Sequence, residues 1–446
     1  MFNSGEVSGI DYQTVGLPFQ AQKFIIYTTD INRPFIDFRD NRLYFLDIIG
    51  SRFFTNTRCV LIVDMDGGFE WYVENQPSRF GVIQFELGNL PPPRMLIPVE
   101  DLLNAPIVEL KEVYREVRDI VTAVIDFPDP DYADIVTAYI IYTWIRGIFH
   151  KNVNLYVTGF FSTGKSAVAN CIKKLGRYPV DYDPDFERSG KWHIAQTLGI
   201  LIIDEAEVIS KKTASRLRRK HEETLESRLM GLPMQGLTQV TLRVDAPIVI
   251  SATHLPSDIA LLSRGFLIRM RRGHPKIKSI HYIENLEEIK LKMVRTIYAN
   301  WYKFYTTLYE VLEEVKNLDI DERAKDISVP LMTVLKTCGQ NYRFVLDHAQ
   351  RSIKEAFYCT PENVIFTMLL LRLVQEAEKT DEYYIIPFER VYILCAELCK
   401  QMFGSKSKVN YLLGYLYAGC KLEKQEDTLV FVCDRKTVDS VLETIS

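Results

Sequence analysis

One octapeptide constrains this chain more than anything else in it. Gly159-Phe160-Phe161-Ser162-Thr163-Gly164-Lys165-Ser166 satisfies G-x-x-x-x-G-K-[ST] at every fixed position. An apolar stretch, Leu155–Thr158, reads as a strand leading into it, and Ala167–Leu175 reads as a helix leading out. The two glycines allow a tight turn in which successive backbone N–H groups point into one anion-sized concavity. The helix N-terminus adds partial positive charge at the same place. A strand–loop–helix unit of this kind commits at least this part of the chain to an α/β layer arrangement.

A second motif follows some forty residues on, Gly199-Ile200-Leu201-Ile202-Ile203-Asp204-Glu205. Four apolar residues ending in two acids describe a buried parallel strand that delivers carboxylates at its C-terminal edge. Ligands bind at that edge in open α/β sheets. The expectation is therefore an ATP site in which Gly159 through Ser166 hold the phosphates and Lys165 reaches the β- and γ-phosphates. The Ser166 hydroxyl and Asp204 would hold Mg²⁺, and Glu205 would orient or deprotonate the attacking water.

With an Asp-Glu pair at this distance from the phosphate loop, the chain resembles the AAA+ and superfamily III helicase branch of P-loop ATPases. The implied fold is an α/β P-loop NTPase (AAA+-like) core. Ala246-Pro247-Ile248-Val249-Ile250-Ser251-Ala252-Thr253-His254 looks like the strand that carries the family's sensor-1 polar residue. Thr253 is the first choice for that role, with Ser251 and His254 as rivals. Leu261-Leu262-Ser263-Arg264-Gly265-Phe266 resembles the segment bearing the arginine finger, which a neighbouring subunit supplies. Arg264 is the first choice there, and Arg269, Arg271 and Arg272 compete. The resemblance thus implies a ring, a homo-hexamer in the usual case. The order of these motifs also resembles the helicase part of plasmid- and virus-encoded primase–helicases. In their helical region an Arg precedes a Pro-Leu-Leu, as Arg323 here precedes Val329-Pro330-Leu331-Met332. Arg323 either contacts nucleotide or forms a salt bridge to Asp326.

At 446 residues the chain exceeds what one core usually supports. Hydrophobic residues make up 47% and charged residues 25%, which excludes wholesale disorder. Four segments are expected: a β-rich domain over 1–115, the ATPase over 116–280, a helical domain over 281–380 and a winged-helix-like domain over 381–446. The first should contain strands at Lys23–Thr28, Arg42–Ile48, Cys59–Asp64 and Phe69–Glu74. Asp64 and Asp66 offer paired carboxylates of the kind a two-metal primase needs, but Asp66-Gly67-Gly68 between apolar strands is a stronger hairpin signal. In the last segment, a helix over Phe388–Met402 and another over Lys408–Ala418 precede two strands and a final helix.

The net charge of −4 does not point to nucleic acid, but Glu205–Ile280 holds 14 Lys and Arg against 7 Asp and Glu. Lys211, Lys212, Arg216, Arg218, Arg219 and Lys220 form a helical run, and Arg228 and Arg243 bracket a loop-like stretch, Gly231–Gly236. In a ring these are expected to face the central pore and grip single-stranded DNA phosphates without regard to sequence. Lys406, Lys408, Asn410 and Lys424 would let the winged helix hold duplex DNA. The expected activity is that of a ring-forming DNA helicase or translocase in the replication of a mobile element. An initiator or loader that changes assembly state without processive unwinding is the alternative, and a protein remodeller is a third class. The apolar stretch Ile135–Phe149 contains Arg146 and falls short of the roughly 20 residues a bilayer requires, so a buried helix is expected rather than a membrane span. The eight cysteines form no CxxC pair, and the N-terminus lacks the features of a signal peptide. A reducing cytoplasm fits both observations.

Overall fold

The computed structural model describes residues 23–26, 35–39, 42–54, 59–73, 76–78, 81–85, 96–149, 151–160, 162–181, 199–204, 217, 225–232, 236–243, 246–253, 255, 258–358, 369, 372–380, 382–403, 420–425 and 428–434. Runs of aromatic and β-branched residues near the start form β1 (Lys23–Ile26), β2 (Phe35–Arg39), β3 (Arg42–Ile49), β4 (Cys59–Asp64), β5 (Phe69–Val73), β6 (Pro77–Ser78) and β7 (Gly81–Phe85). β2 to β5 make an antiparallel meander, and β7 joins β1 to β6 in a second small sheet. Cys59 through Val63 are all buried, so β4 is covered on both faces. The turn after it is the expected hairpin. Asp64 Oδ1 accepts the N–H groups of Asp66 and Gly68 at 3.0 and 2.7 Å, and Gly67 takes φ +82°. The Asp64 carboxylate is thus occupied in closing a turn.

Helix α1 (Val99–Asn104) precedes α2 (Leu110–Val124), which buries one stripe made of Leu110, Val113, Tyr114, Val117, Ile120, Val121 and Val124. That 3–4 spacing is one face of a helix against a core. Helix α3 (Pro130–Ile145) differs, because every residue from Ile135 to Ile145 is buried. An all-round apolar helix must be enclosed, and this one is. No helix among the described residues is long and apolar enough to cross a membrane.

The central sheet is built from β8 (Asn154–Thr158), β9 (Val180–Asp181), β10 (Leu201–Asp204), β13 (Ile248–Ala252) and β14 (Gly265–Arg269). Its order is β14-β8-β13-β10-β9 and every pair is parallel. Helix α4 (Lys165–Leu175) packs on β13, β10 and β8. Between β10 and β13 the chain makes an antiparallel ribbon, β11 (Leu225–Leu232) and β12 (Gly236–Arg243), that forms a sheet of its own. The expected loop over Gly231–Gly236 is therefore shorter than anticipated, since Leu232 already pairs with Gly236. Helices α5 (Leu286–Ala299), α6 (Trp301–Lys316), α7 (Glu322–Thr337) and α8 (Phe344–Tyr358) follow.

Residues 1–256 and 260–350 make one unit, and 257–259 with 351–446 make another. In the second unit, β15 (Glu378–Lys379), β16 (Tyr383–Pro387), β17 (Cys420–Gln425) and β18 (Thr428–Asp434) form a four-stranded antiparallel sheet, with helix α9 (Phe388–Phe403) continuing directly from β16. The strand β16 was not expected, although Tyr383-Tyr384-Ile385-Ile386 carries an ordinary strand composition. The expected helices at Lys408–Ala418 and after Arg435 lie outside the described residues, as do Lys406, Lys408 and Asn410. Cys59, Cys171 and Cys338 are free and buried, and Cys395 is buried. Burial pushes the Cys59, Cys171 and Cys338 thiols up to about 12, which marks them as packing groups. Cys433 is disulfide-bonded.

The N-terminal strands are joined to the rest of their unit through buried polar contacts. Arg177, two residues beyond the end of α4, is 2% exposed and grips Asp47 of β3 with two bonds of 2.7 Å. The Tyr298 hydroxyl of α5 donates to the same carboxylate at 2.6 Å and accepts from Arg177 at 2.8 Å. Burial pulls the guanidinium pKa down, but Asp47 more than offsets this and holds it above its usual value. Trp301 adds a bond from its indole N–H to the Asp64 carbonyl at 2.9 Å. Arg177→Met is expected to destabilise this unit by about 3–5 kcal/mol, because it leaves the Asp47 charge buried without its partner. Combining it with Asp47→Leu and Tyr298→Phe should recover most of that loss. Urea unfolding of the full chain checks both, and a loss below about 1 kcal/mol for the single variant would contradict the assignment.

Candidate functional site

The octapeptide sits at the C-terminal end of β8, the strand flanked by β13 and β14. Its first glycine is required by space. A Cβ on Gly159 would lie 2.5 Å from the Met270 carbonyl oxygen and 2.8 Å from Thr163 Oγ1. Gly164, the residue before α4, takes φ +87°, which suits glycine. Ser162 also has positive φ, at 60°. The Thr163 hydroxyl donates to the Phe160 carbonyl at 2.8 Å and closes the loop on itself. Lys165 Nζ donates to the Gly159 and Phe160 carbonyls, both at 2.8 Å, so its charge lies over the loop. Phe160 is 82% exposed at the loop's rim. Phe161 lies outside the described residues.

Ser166 is the second residue of α4, and its hydroxyl lies 3.4 Å from Asp204 Oδ1 at the end of β10. A hydroxyl and a carboxylate at that separation, beside a loop of N–H groups, form a donor set that suits Mg²⁺, a cation that prefers oxygen ligands. The residues present therefore fit a nucleotide phosphate with its metal. Glu205 and His254 lie outside the described residues, so the geometry here ends at Asp204 on β10 and at Thr253 after β13.

Strand order decides what else stands beside Asp204. Because β13 lies between β8 and β10, Ser251 is directly opposite Asp204 on one side and Val157 on the other. Ser251 and Asp204 are paired across neighbouring parallel strands, so their side chains share one face of the sheet. The Ser251 hydroxyl is buried, at 1% exposure, and meets no hydrogen-bond partner among the described residues. Thr253 lies one residue beyond the last β13–β8 pair, and its carbonyl accepts the Thr158 hydroxyl at 3.1 Å. Both sensor candidates thus stand at the phosphate end of the sheet.

The arginines divide by the same register. Gly265 pairs with Asn154, the first residue of β8, and the Asn154 N–H donates to the Arg264 carbonyl at 3.1 Å. Arg264 is therefore at the N-terminal edge of the sheet, and the phosphate loop is at the C-terminal edge. Five strand residues separate the edges, roughly 16 Å at ~3.3 Å per residue. Arg269 pairs with Thr158 beside the loop, and Arg271 and Arg272 follow on that side. Within one chain, Arg269, Arg271 and Arg272 are near the phosphate site and Arg264 is not. The Arg264 guanidinium donates to the Ala260 carbonyl, and Arg323 Nη1 donates to Ser263 Oγ at 2.7 Å. The alternative of an Arg323–Asp326 bridge does not form, because Asp326 pairs with Lys151. Sequence reading had no signal for the Arg323–Ser263 contact, which spans 60 residues.

No protein-family profile matches the chain, and no curated protein does. Among solved structures, the apo C-terminal region of NrS-1 is similar over 87% of this chain and 96% of its own, at 11% identity and a TM-score of 0.35. A full-length MCM homolog from Methanopyrus kandleri is similar over 71% of this chain and 78% of its own, at 11% identity and the same TM-score of 0.35. At that level neither likeness bears on the chemistry of this chain, and what the site can do rests on its own residues.

Proposed function

We propose that the chain is an ATP-dependent, ring-forming DNA helicase or translocase that serves the replication of a mobile element. The observation that carries the ATPase part is the Ser166 hydroxyl 3.4 Å from Asp204 Oδ1 at the mouth of the Gly159–Ser166 loop. In this reading Gly159, Phe160, Phe161, Ser162, Thr163, Gly164, Lys165 and Ser166 hold the phosphates of ATP. Ser166 and Asp204 hold Mg²⁺, which neutralises charge on the transferring phosphoryl group. Glu205 orients the attacking water, and Thr253 polarises it.

The register supports the ring. Arg264 stands at the far edge of the sheet from its own phosphate loop, and in this reading it serves another copy's site. A homo-hexamer satisfies that requirement, and each site then lies between two subunits. The DNA part rests on charge: the excess of Lys and Arg between Glu205 and Ile280 includes the ribbon β11–β12. Cations there would bind backbone phosphates in a salt-sensitive, sequence-blind way. The winged-helix-like end would hold duplex DNA through Lys424 and its neighbours. If the ring instead switches assembly state as an initiator or loader, DNA will stimulate hydrolysis without unwinding.

ATP turnover with and without single-stranded DNA, together with unwinding of a forked duplex, tests the reading. DNA should stimulate turnover, and Lys165→Ala should lower it on the order of a hundredfold or more. Neither stimulation nor unwinding would overturn the DNA assignment. A second measurement separates the arginines. Arg264→Ala and Lys165→Ala chains should each be nearly inactive alone, with losses for Arg264→Ala on the order of 10³ or more. Mixed together they should regain activity, because some interfaces then combine an intact Lys165 with an intact Arg264. Failure to regain activity in mixed rings would remove Arg264 from the role and leave Arg269, Arg271 and Arg272.

A further inference from the structure

Away from the phosphate loop, three side chains that no sequence motif connects converge on one point. Asp129 and Asp131 flank Pro130 at the start of α3, and His348 comes from α8. The His348 side chain is 4% exposed, and its Nε2 lies 3.1 Å from Asp131 Oδ2 and 3.8 Å from Asp129 Oδ2. All three donor atoms lie within 4.8 Å of one another. We propose that Asp129, Asp131 and His348 form a binding site for a divalent first-row cation of the zinc class, completed by water.

Nε2 carries at most one proton, which can bond one carboxylate, while two carboxylate oxygens face it. A dication bonded to Nε2 would engage both of those oxygens at once. The partial positive charge of about one half at the α3 N-terminus is smaller than the charge of the two carboxylates, so the locus stays attractive to a cation. The imidazole is also fixed in direction. Tyr132 and Phe344 pack edge-on to it at centroid distances of 5.6 and 5.8 Å. Asp129 Oδ1 is engaged by the Asp131 N–H at 3.0 Å, so it is the other oxygen that turns towards His348.

The spacing suits the ion. Tetrahedral bonds of roughly 2.0–2.2 Å place donors about 3.3–3.6 Å apart, and the separations of Nε2 from the two carboxylate oxygens, 3.1 and 3.8 Å, bracket that range. One imidazole with two carboxylates is a donor set for zinc and its neighbours, while magnesium and calcium prefer oxygen alone. The aspartate side chains are 31% and 43% exposed, which opens one side of the site to water and to the entering ion. Such an ion would clamp α8 to the start of α3. The proposal is independent of what the phosphate loop binds.

The test uses metal-stripped full-length chain without nucleotide, titrated with Zn²⁺ by calorimetry and with Co²⁺ by visible absorption. Saturable uptake that His348→Gln and Asp131→Asn each weaken at least tenfold is expected. Zn²⁺ should raise the thermal midpoint of the wild type, reversibly with chelator, and leave both variants unmoved. Asp131→Asn keeps the side chain's shape, so it reads the site even if His348→Gln fails to fold. Uptake retained by both variants would place the metal elsewhere, as on the cysteines, and would overturn the proposal. So would a wild type that takes up no Zn²⁺, in which case the cluster is a hydrogen-bonded histidine–aspartate pair.

Discussion

The buried bond between Arg177 and Asp47 is the constraint on which the larger unit depends. Arg177 follows the phosphate-loop helix, Asp47 belongs to the N-terminal meander, and Tyr298 brings in the helical segment. Three stretches far apart in sequence therefore meet at one guanidinium. Trp144 and Tyr178 lie within 5.7 and 4.9 Å of it, so its flat faces are covered by aromatic rings. Ion pairs buried this deeply gain little over an apolar contact of the same shape, because desolvation offsets most of the Coulombic attraction. Their effect is on alternatives. Any packing that separates the meander from α4 strands two charges in a low-dielectric interior, and that excludes many arrangements an apolar interface would tolerate.

The parallel sheet does the comparable work for the site. Parallel strands send all their C-terminal ends to one edge, so Gly159, Asp204 and Thr253 meet there although they come from three separate strand ends. The same rule sends Arg264 to the other edge. The interposition of β13 between β8 and β10 has a further consequence. It sets Ser251 directly between Val157 and Asp204, where its buried hydroxyl has no hydrogen bond among the described residues. An orphaned buried hydroxyl costs roughly 1–3 kcal/mol, and a hydrated metal beside Asp204 is the kind of occupant that would relieve it.

How much of this was legible in the sequence depended on range. Local signals read well. The strands leading to Gly159 and ending in Asp204 are where apolar runs place them, and Asp66-Gly67-Gly68 is a turn because those residues close one. Helix α3 declared its burial by having no polar face. Contacts across long separations were not legible. Nothing near Arg177 announces Asp47, 130 residues away, and nothing near His348 announces Asp131, 217 residues away. The ribbon β11–β12 failed for a different reason. The alternation of Val240 and Leu242 with Thr241 and Arg243 is a strand pattern, which the charges on either side of it obscure.

That ribbon has a place in the chain that matters under the proposed function. It lies in sequence between the strand ending at Asp204 and the strand carrying Ser251. The chain leaves β10 at Asp204, on the phosphate edge, and re-enters the sheet at Ile248, which pairs with Leu201 on the opposite edge. Under the proposed function, the route through β13 therefore reaches the ribbon only across the whole width of the sheet. A coupling between the γ-phosphate and a strand bound at the ribbon would instead run through the segment that follows Asp204, which leaves the sheet beside the phosphate loop.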